Sequence, residues 1–331
     1  MTAPIRMGVA GAGALGYHHV RILRELEGVA FQGFVDVNPE RASEVSRDLG
    51  VRAYPALEAL LDDVDALTIV VPTPAHFEVA REALRRGVHV LIEKPITATL
   101  DQADELLAIA ERTSATVQIG HVERFNRAVR AALPHIGSPR FVQVDRLAPF
   151  SPRGADVAVV LDLMIHDLDL VLTLIGSPVT AIAAVGVPVL TPSVDIANAR
   201  LAFETGAVAT ITASRVSRER TRKLRLFQPS GYLSLDLGAG TGEFYRLRDD
   251  VDLAALAGAP RTVDAFVERL TLEAPEGEPL RLEFVSFLAS LRGERPVEVS
   301  GRAGRDALDV AMRIVEEIER TLPALTGQLR A

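Results

Sequence analysis

Residues 161–170, LDLMIHDLDL, hold the densest potential chemistry in this chain of 331 residues. They lie inside an apolar run, 157–175, that predicts a buried helix. At about 100° per residue, Asp162, His166, Asp169 and Thr173 fall on one stripe of it. Carboxylates and an imidazole on a greasy helix are costly to bury unless they are satisfied or used. Asp162 and His166 are four residues apart, a spacing that suits proton transfer, with the acid orienting or charging the base. Taken alone, the pair fits a hydrogen-bonded core histidine equally well.

A second constellation sits near the N-terminus. GAGALG, residues 11–16, follows a strand-like run and opens a helix, the context in which such a turn holds a dinucleotide. Gly11 permits the tight turn, Gly13 lets the backbone approach a pyrophosphate, and Gly16 lets helix and strand pack closely. Phosphates would rest on the helix N-terminus, at Ala14 and Leu15. Asp36 ends the second strand, 20 residues after Gly16, where a carboxylate accepts hydrogen bonds from the adenine ribose and repels a 2′-phosphate. NAD is the expected cofactor, and Arg41 keeps NADP open. In VHVLIEKPIT, residues 88–97, a strand ends in Glu93, and Lys94 precedes Pro95, a proline able to take the cis form. A lysine there points to the crevice where a cofactor lies; an ordinary surface lysine is the other reading.

These groups need a scaffold. Strands expected at 6–10, 31–36, 66–71, 88–93 and 116–119 alternate with helices at 15–27, 39–49, 74–86 and 100–112. That alternation indicates a parallel sheet covered on both faces. After about residue 124 the style changes. A buried helix is followed by strand-like runs at 179–189, 197–203, 207–214, 223–228 and 232–237, separated by turns such as GSP, ETG and PSG. They predict a mainly antiparallel sheet, and helices at 279–291 and 303–322 close the chain. Residues 238–278 read as loops between short strands. The expected domains are 1–121 and 122–331, with the last helix, 303–322, a candidate to pack back on the first.

Bulk properties narrow the classes. A net charge of −8 disfavours nucleic acid as a partner, and the small aromatic fraction disfavours base stacking. With no cysteine, disulfides, thiolate nucleophiles and cysteine-bound metals are excluded. The N-terminus resembles no secretory leader and no run approaches a membrane span, so a cytoplasmic protein without membrane contact is expected.

GAGALG, VPTPAH (71–76), EKP (93–95), GHVERFN (120–126) and LDLMIHDLD together resemble the Gfo/Idh/MocA oxidoreductase family, in order and spacing and over essentially the whole chain. The resemblance implies an α/β protein: an N-terminal Rossmann doubly wound parallel sheet, then a C-terminal α/β domain with an open, mainly antiparallel sheet that often mediates homodimers or homotetramers. It implies NAD(P)-dependent oxidation or reduction of sugars, cyclitols or sugar nucleotides. By position, Lys94 matches the EKP lysine, and Asp162 and His166 match the acid and base of the second-domain helix. Thr73 and His76 match the stretch lining the nicotinamide side, Glu93 joins the cofactor set, and Arg124 lies in the interdomain motif. His166 is then the general base, Asp162 its orienting partner, and Lys94 the donor to the reacting oxygen. No metal is called for.

Substrate choice turns on SRVSRERTRKLR, residues 214–225, with Arg215, Arg218, Arg220, Arg222, Lys223 and Arg225 in an acidic chain. One reading is a solvated hairpin face or a dimer contact. The other is an anion site for a sugar-nucleotide diphosphate, with Arg215 and Arg222 as substrate ligands alongside Lys94, Arg124, Asp162 and His166. The whole set looks most like UDP-N-acetylglucosamine 3-dehydrogenase-like members, whose ketone product an aminotransferase can aminate on a route to modified lipid A. A myo-inositol or simple-sugar dehydrogenase is the alternative enzyme. A catalytically silent NAD-binding regulator is the alternative of another class.

Overall fold

The computed structural model describes residues 3–151, 154, 157–248 and 266–328. The chain forms two compact units, 1–122 with 277–309, and 123–276 with 310–331.

The first unit alternates strand and helix: β1 (Ile5–Ala10), α1 (Ala14–Leu23), β2 (Val29–Val35), α2 (Pro39–Leu49), α3 (Leu57–Leu61), β3 (Ala66–Ile69), α4 (Thr73–Arg85), β4 (His89–Glu93), α5 (Leu100–Thr113) and β5 (Val117–Gly120). All neighbours pair in parallel in the order β2-β1-β3-β4-β5, the doubly wound arrangement expected. Local signals start and stop its helices. Asn38 caps α2 by accepting from the Glu40 and Arg41 N–H groups, Pro39 follows it, and Gly50 ends the helix at φ 63°. Thr99 caps α5 in the same way. The N-cap of α1 is Gly13, which has no side chain to cap with, so its first-turn N–H groups stay open.

Where a single boundary near residue 121 was expected, the chain comes back. Helix α8 (Pro279–Leu291) buries Phe284 and Phe287 in the core that Met7, Val9, Ile22, Leu23 and Phe34 form on β1, α1 and β2. Apolar burial at about 25 cal/mol per Å² makes two fully buried phenylalanines a strong tether. Only residues beyond 309 of the last helix, α9 (Gly301–Gln328), group with the second unit.

The second unit contains α6 (Arg127–Ala132), β6 (Phe141–Leu147), α7 (Ile165–Ile175), β7 (Val179–Val187), β8 (Ile196–Phe203), β9 (Val208–Ser214), β10 (Thr221–Gln228), β11 (Gly231–Asp236), β12 (Thr241–Leu247) and β13 (Val267–Leu272). They form one sheet of eight strands, β13-β12-β11-β10-β6-β9-β8-β7, antiparallel except for β6 beside β9. β12 and β13 supply the short strands expected in 238–278, of which 249–265 lie outside the described residues. Strand β6 was not foreseen. Its buried positions are Val142, Val144 and Arg146, and a charge in the buried register hides the alternation. Small and aliphatic residues such as Ala199, Ile211, Leu224 and Leu233 fill one face of the sheet. The other face carries a stacked ladder, Phe141–Phe227–Tyr232–Tyr245, with centroids 5.7, 5.3 and 4.7 Å apart. Among the described residues no helix is long and apolar enough to cross a membrane.

Candidate active site

In the first unit the glycine turn divides its labour sharply. Gly11 holds φ 91°, and a Cβ there would lie 2.6 Å from the Val70 carbonyl oxygen. At Gly16 a Cβ would meet the Gly11 carbonyl oxygen at 2.1 Å, so the helix starts in contact with the turn itself. A Cβ on Gly13 would touch nothing within 4 Å. Gly13 and Ala14 are exposed and Leu15 is half-buried, leaving open, uncapped N–H groups at the head of α1. That is the space and polarity a pyrophosphate needs. The Asp36 carboxylate is oriented by two backbone donors, Ala12 N–H at 2.7 Å and Asn38 N–H at 2.8 Å, which leave lone pairs for ribose hydroxyls. Arg41 donates through Nε to the Ala12 carbonyl at 2.8 Å and braces the same turn.

Thr73 is half-buried at the start of α4. His76 departs from expectation. Its ring is 1% exposed and its nitrogens lie 2.8 Å from the Pro95 carbonyl and 2.9 Å from the Val71 carbonyl. The ring is packed between the EKP turn and the loop after β3, and a neutral imidazole, with one N–H, can donate to one of these two carbonyls. Burial pushes the His76 pKa down; the two carbonyls pull it up, and burial prevails. The Lys94–Pro95 peptide is cis. Lys94 is half-buried and its N–H donates to the Glu93 carboxylate at 3.3 Å. Burial alone would raise the Glu93 carboxyl, but His19 and the Lys94 charge outweigh it and hold it below the ordinary value. His19 on α1, which meets Glu93, and Thr68 on β3, which meets His19, were missed. A histidine three residues after the third fingerprint glycine is the only sequence signal for that contact.

In the second unit the predicted helix 157–175 is not uniform. Residues Val160–Met164 form a π-helical turn, and regular α7 begins at Ile165. Asp162 belongs to the wide turn and His166 to the first turn of α7; both are half-buried. Single π turns recur at functional sites because they re-aim a side chain. The expected stripe of four splits. Asp169 is buried and receives a bidentate grip from Arg124, Nε at 2.7 Å and Nη2 at 2.6 Å. Thr173 hydrogen-bonds the Asp169 carbonyl at 2.8 Å. Asp167, on another side of the helix, receives the same two-pronged grip from Arg146 at 2.7 and 2.7 Å, and Arg146 also reaches Glu123 at 2.9 Å. Burial opposes the Arg146 charge, but Asp167 and Glu123 more than compensate and push its pKa up further. Glu123, Arg146 and Asp167 were not singled out from sequence.

The basic run does not form one anion site. Arg215 is 4% exposed, donates to the Gly154 and Val157 carbonyls and lies beside Asp195, so its guanidinium is committed to holding backbone. Arg218 and Arg220 are exposed in the turn before β10, and Lys223 and Arg225 are exposed along that strand. Arg222, on the face of Leu224 and Leu226, is 40% exposed and 3.6 Å from Glu123. Of the two arginines expected to bind substrate in this run, only Arg222 keeps an accessible guanidinium.

Comparison with known proteins agrees with this geometry. Residues 5–121 match the oxidoreductase family with an NAD-binding Rossmann fold, and 126–234 match the GFO/IDH/MocA C-terminal domain. UDP-N-acetylglucosamine 3-dehydrogenase of Acidithiobacillus ferrooxidans is 39% identical over 96% of this chain and 98% of its own. The chain belongs to the Gfo/Idh/MocA oxidoreductase family. A crystal structure of the Acidithiobacillus enzyme superposes with a TM-score of 0.89, at 37% identity over 97% of this chain and 99% of that one. Myo-inositol 2-dehydrogenase of Thermotoga maritima is 27% identical over 92% of this chain and 93% of its own. As a family member the chain is an oxidoreductase that uses a nicotinamide dinucleotide, and the open turn at Gly13, the head of α1 and Asp36 fit that group.

Proposed function

We propose that this chain is an NAD-dependent UDP-N-acetylglucosamine 3-dehydrogenase, oxidising the sugar 3-hydroxyl to a ketone. Near full-length likeness to the Acidithiobacillus enzyme of that activity carries the reading. The head of α1 would hold the pyrophosphate and Asp36 the adenine ribose, its charge favouring NAD over a 2′-phosphorylated cofactor. When bound, the dinucleotide supplies the hydride acceptor. His166 takes the proton from the substrate hydroxyl, a task imidazole performs near neutrality. Asp162 orients the ring and favours its charged form after transfer. Lys94 donates to the same oxygen and stabilises negative charge as it develops. Arg222, rather than the buried Arg215, is the arginine assigned to an anionic portion of the substrate. The aromatic ladder on the open sheet face supports assembly as a homodimer or homotetramer, and we place the enzyme in the cytoplasm.

The test is direct. Purified protein with NAD is offered UDP-N-acetylglucosamine, myo-inositol or glucose in the presence of a carbonyl trap, and NADH absorbance is followed. Turnover of the UDP-sugar is expected; turnover of inositol with none of the UDP-sugar refutes the substrate. Lys94→Ala and His166→Ala should each lose at least about 100-fold in kcat while still binding NADH. Near-native activity in either variant removes its assigned role.

A further inference from the structure

We propose that His19 is a positioning residue for Lys94, acting through the Glu93 carboxylate; the inference rests on the reading of Lys94 as donor to the reacting oxygen. His19 lies on the second turn of α1, fully buried, with its ring edge-on to Phe284 at 5.3 Å. One ring nitrogen, Nδ1, is 3.0 Å from the Thr68 hydroxyl on β3, and Nε2 is 3.2 Å from Glu93 Oε1 at the end of β4. The other carboxylate oxygen accepts from the Lys94 N–H at 3.3 Å. Room for this carboxylate is built in: a Cβ on Gly120 of the adjoining β5 would come within 2.9 Å of it. Four elements thus meet at one buried polar chain, Thr68–His19–Glu93–Lys94, at the carboxyl ends of their strands.

Such a chain is not what stability asks for. An imidazole and a carboxylate are costly to bury, and apolar replacements of equal volume usually serve a core as well or better. The surrounding unit already has an extensive apolar core. What the pair does is hold Glu93 at one place next to the half-buried lysine in sequence, where the two opposite charges attract. His19 Nε2 stands 3.2 Å from the carboxylate and, among the described residues, meets no hydrogen-bond partner elsewhere, and the Thr68 hydroxyl fixes the ring. Lys94 then starts from a turn whose backbone donor is bound to the same carboxylate that faces its charge.

The experiment is a double-mutant cycle on the full-length enzyme, with UDP-N-acetylglucosamine and NAD as substrates and NADH affinity measured separately. His19→Leu should lower kcat by about 10–100-fold, the scale of a small misplacement of a catalytic group, with NADH affinity within about threefold of native. His19→Gln, whose amide nitrogen is the same number of bonds from the backbone as Nε2, should restore kcat to within about fivefold. In a Lys94→Ala background His19→Leu should cost less than about twofold more, because it acts through the missing lysine. A full additional loss there, native kcat in His19→Leu, or equal loss in His19→Gln and His19→Leu overturns the proposal. Should His19→Leu fail to fold, the isosteric Glu93→Gln is put through the same cycle, and additivity with Lys94→Ala is again the refuting result. Native kcat in Lys94→Ala itself instead refutes the assignment of Lys94, and the role of His19 falls with it.

Discussion

Gly13 and Gly16 share one fingerprint and should fail in opposite ways when given a methyl group. At Gly13 the backbone, φ −60° and ψ −162°, is open to any L-residue, and the new Cβ meets nothing within 4 Å. Gly→Ala at such a site gains about 0.4–1 kcal/mol through the unfolded state, and the poorer N-cap costs a similar amount. Stability should therefore stay within about 0.5 kcal/mol of native. The methyl group occupies the approach to the N–H groups of α1, so one charge-assisted hydrogen bond to the pyrophosphate, worth about 1.5–3 kcal/mol, is lost. At about 1.4 kcal/mol per decade this raises the NADH Kd by about 10–100-fold. At Gly16 the methyl group lands 2.1 Å from the Gly11 carbonyl oxygen, and Gly11 is itself pressed against Val70. Neither backbone can yield, so about 1–3 kcal/mol of stability is lost, and NADH affinity falls with the distorted turn. Thermal unfolding without cofactor and fluorescence titration with NADH separate the two. Gly13→Ala losing as much Tm as Gly16→Ala, or binding NADH as the native protein does, refutes this division of labour.

Arg146→Met leaves Glu123 and Asp167 buried without their guanidinium and should cost about 3–5 kcal/mol, read as a lowered urea midpoint; adding Asp167→Leu should recover part of the loss. Asp36→Ser removes the carboxylate expected to repel a 2′-phosphate, worth about 1.5–3 kcal/mol in ribose hydrogen bonding, so the kcat/KM ratio of NADP to NAD should rise at least about tenfold. His76 has a folded pKa depressed chiefly by burial, so its contribution is intact above the unfolded value of about 6.5 and is lost as pH falls through the folded value. Up to about 1.4 kcal/mol per pH unit should disappear on acidification, and His76→Gln should flatten that part of a Tm-against-pH curve; an unchanged slope speaks against it.

What was legible in the sequence is what local pattern encodes. The fingerprint could be read because its function resides in backbone shape, and Asp36 because it ends a strand at a fixed distance from Gly16. The strands of the second unit announced themselves wherever turns separate them. Strand β6 did not, because its alternation is completed by Arg146, whose place inside depends on Asp167 and Glu123. His76 and Arg215 were expected to face ligands. Arg215 instead donates to the carbonyls of Gly154 and Val157, and the His76 ring lies against those of Val71 and Pro95 with one N–H to give. Which distant carbonyl a buried donor finds is a property of the packed chain, with no periodicity to reveal it. The wide turn at Val160–Met164 is hidden for a related reason: a π turn and an α turn use the same apolar residues.

Asp167 and Asp169 point about 200° apart around α7, and each is gripped by two prongs of an arginine from a different element, Arg146 on β6 and Arg124 in the segment before α6. The helix is thus clamped from opposite sides, like a shaft between two set screws. Rolling it either way shifts both carboxylates sideways out of their forks, so torque is resisted in both senses. His166 directly precedes Asp167 on the same helix and inherits that stiffness. Its ring can tilt about its own bonds, but the platform beneath it does not turn.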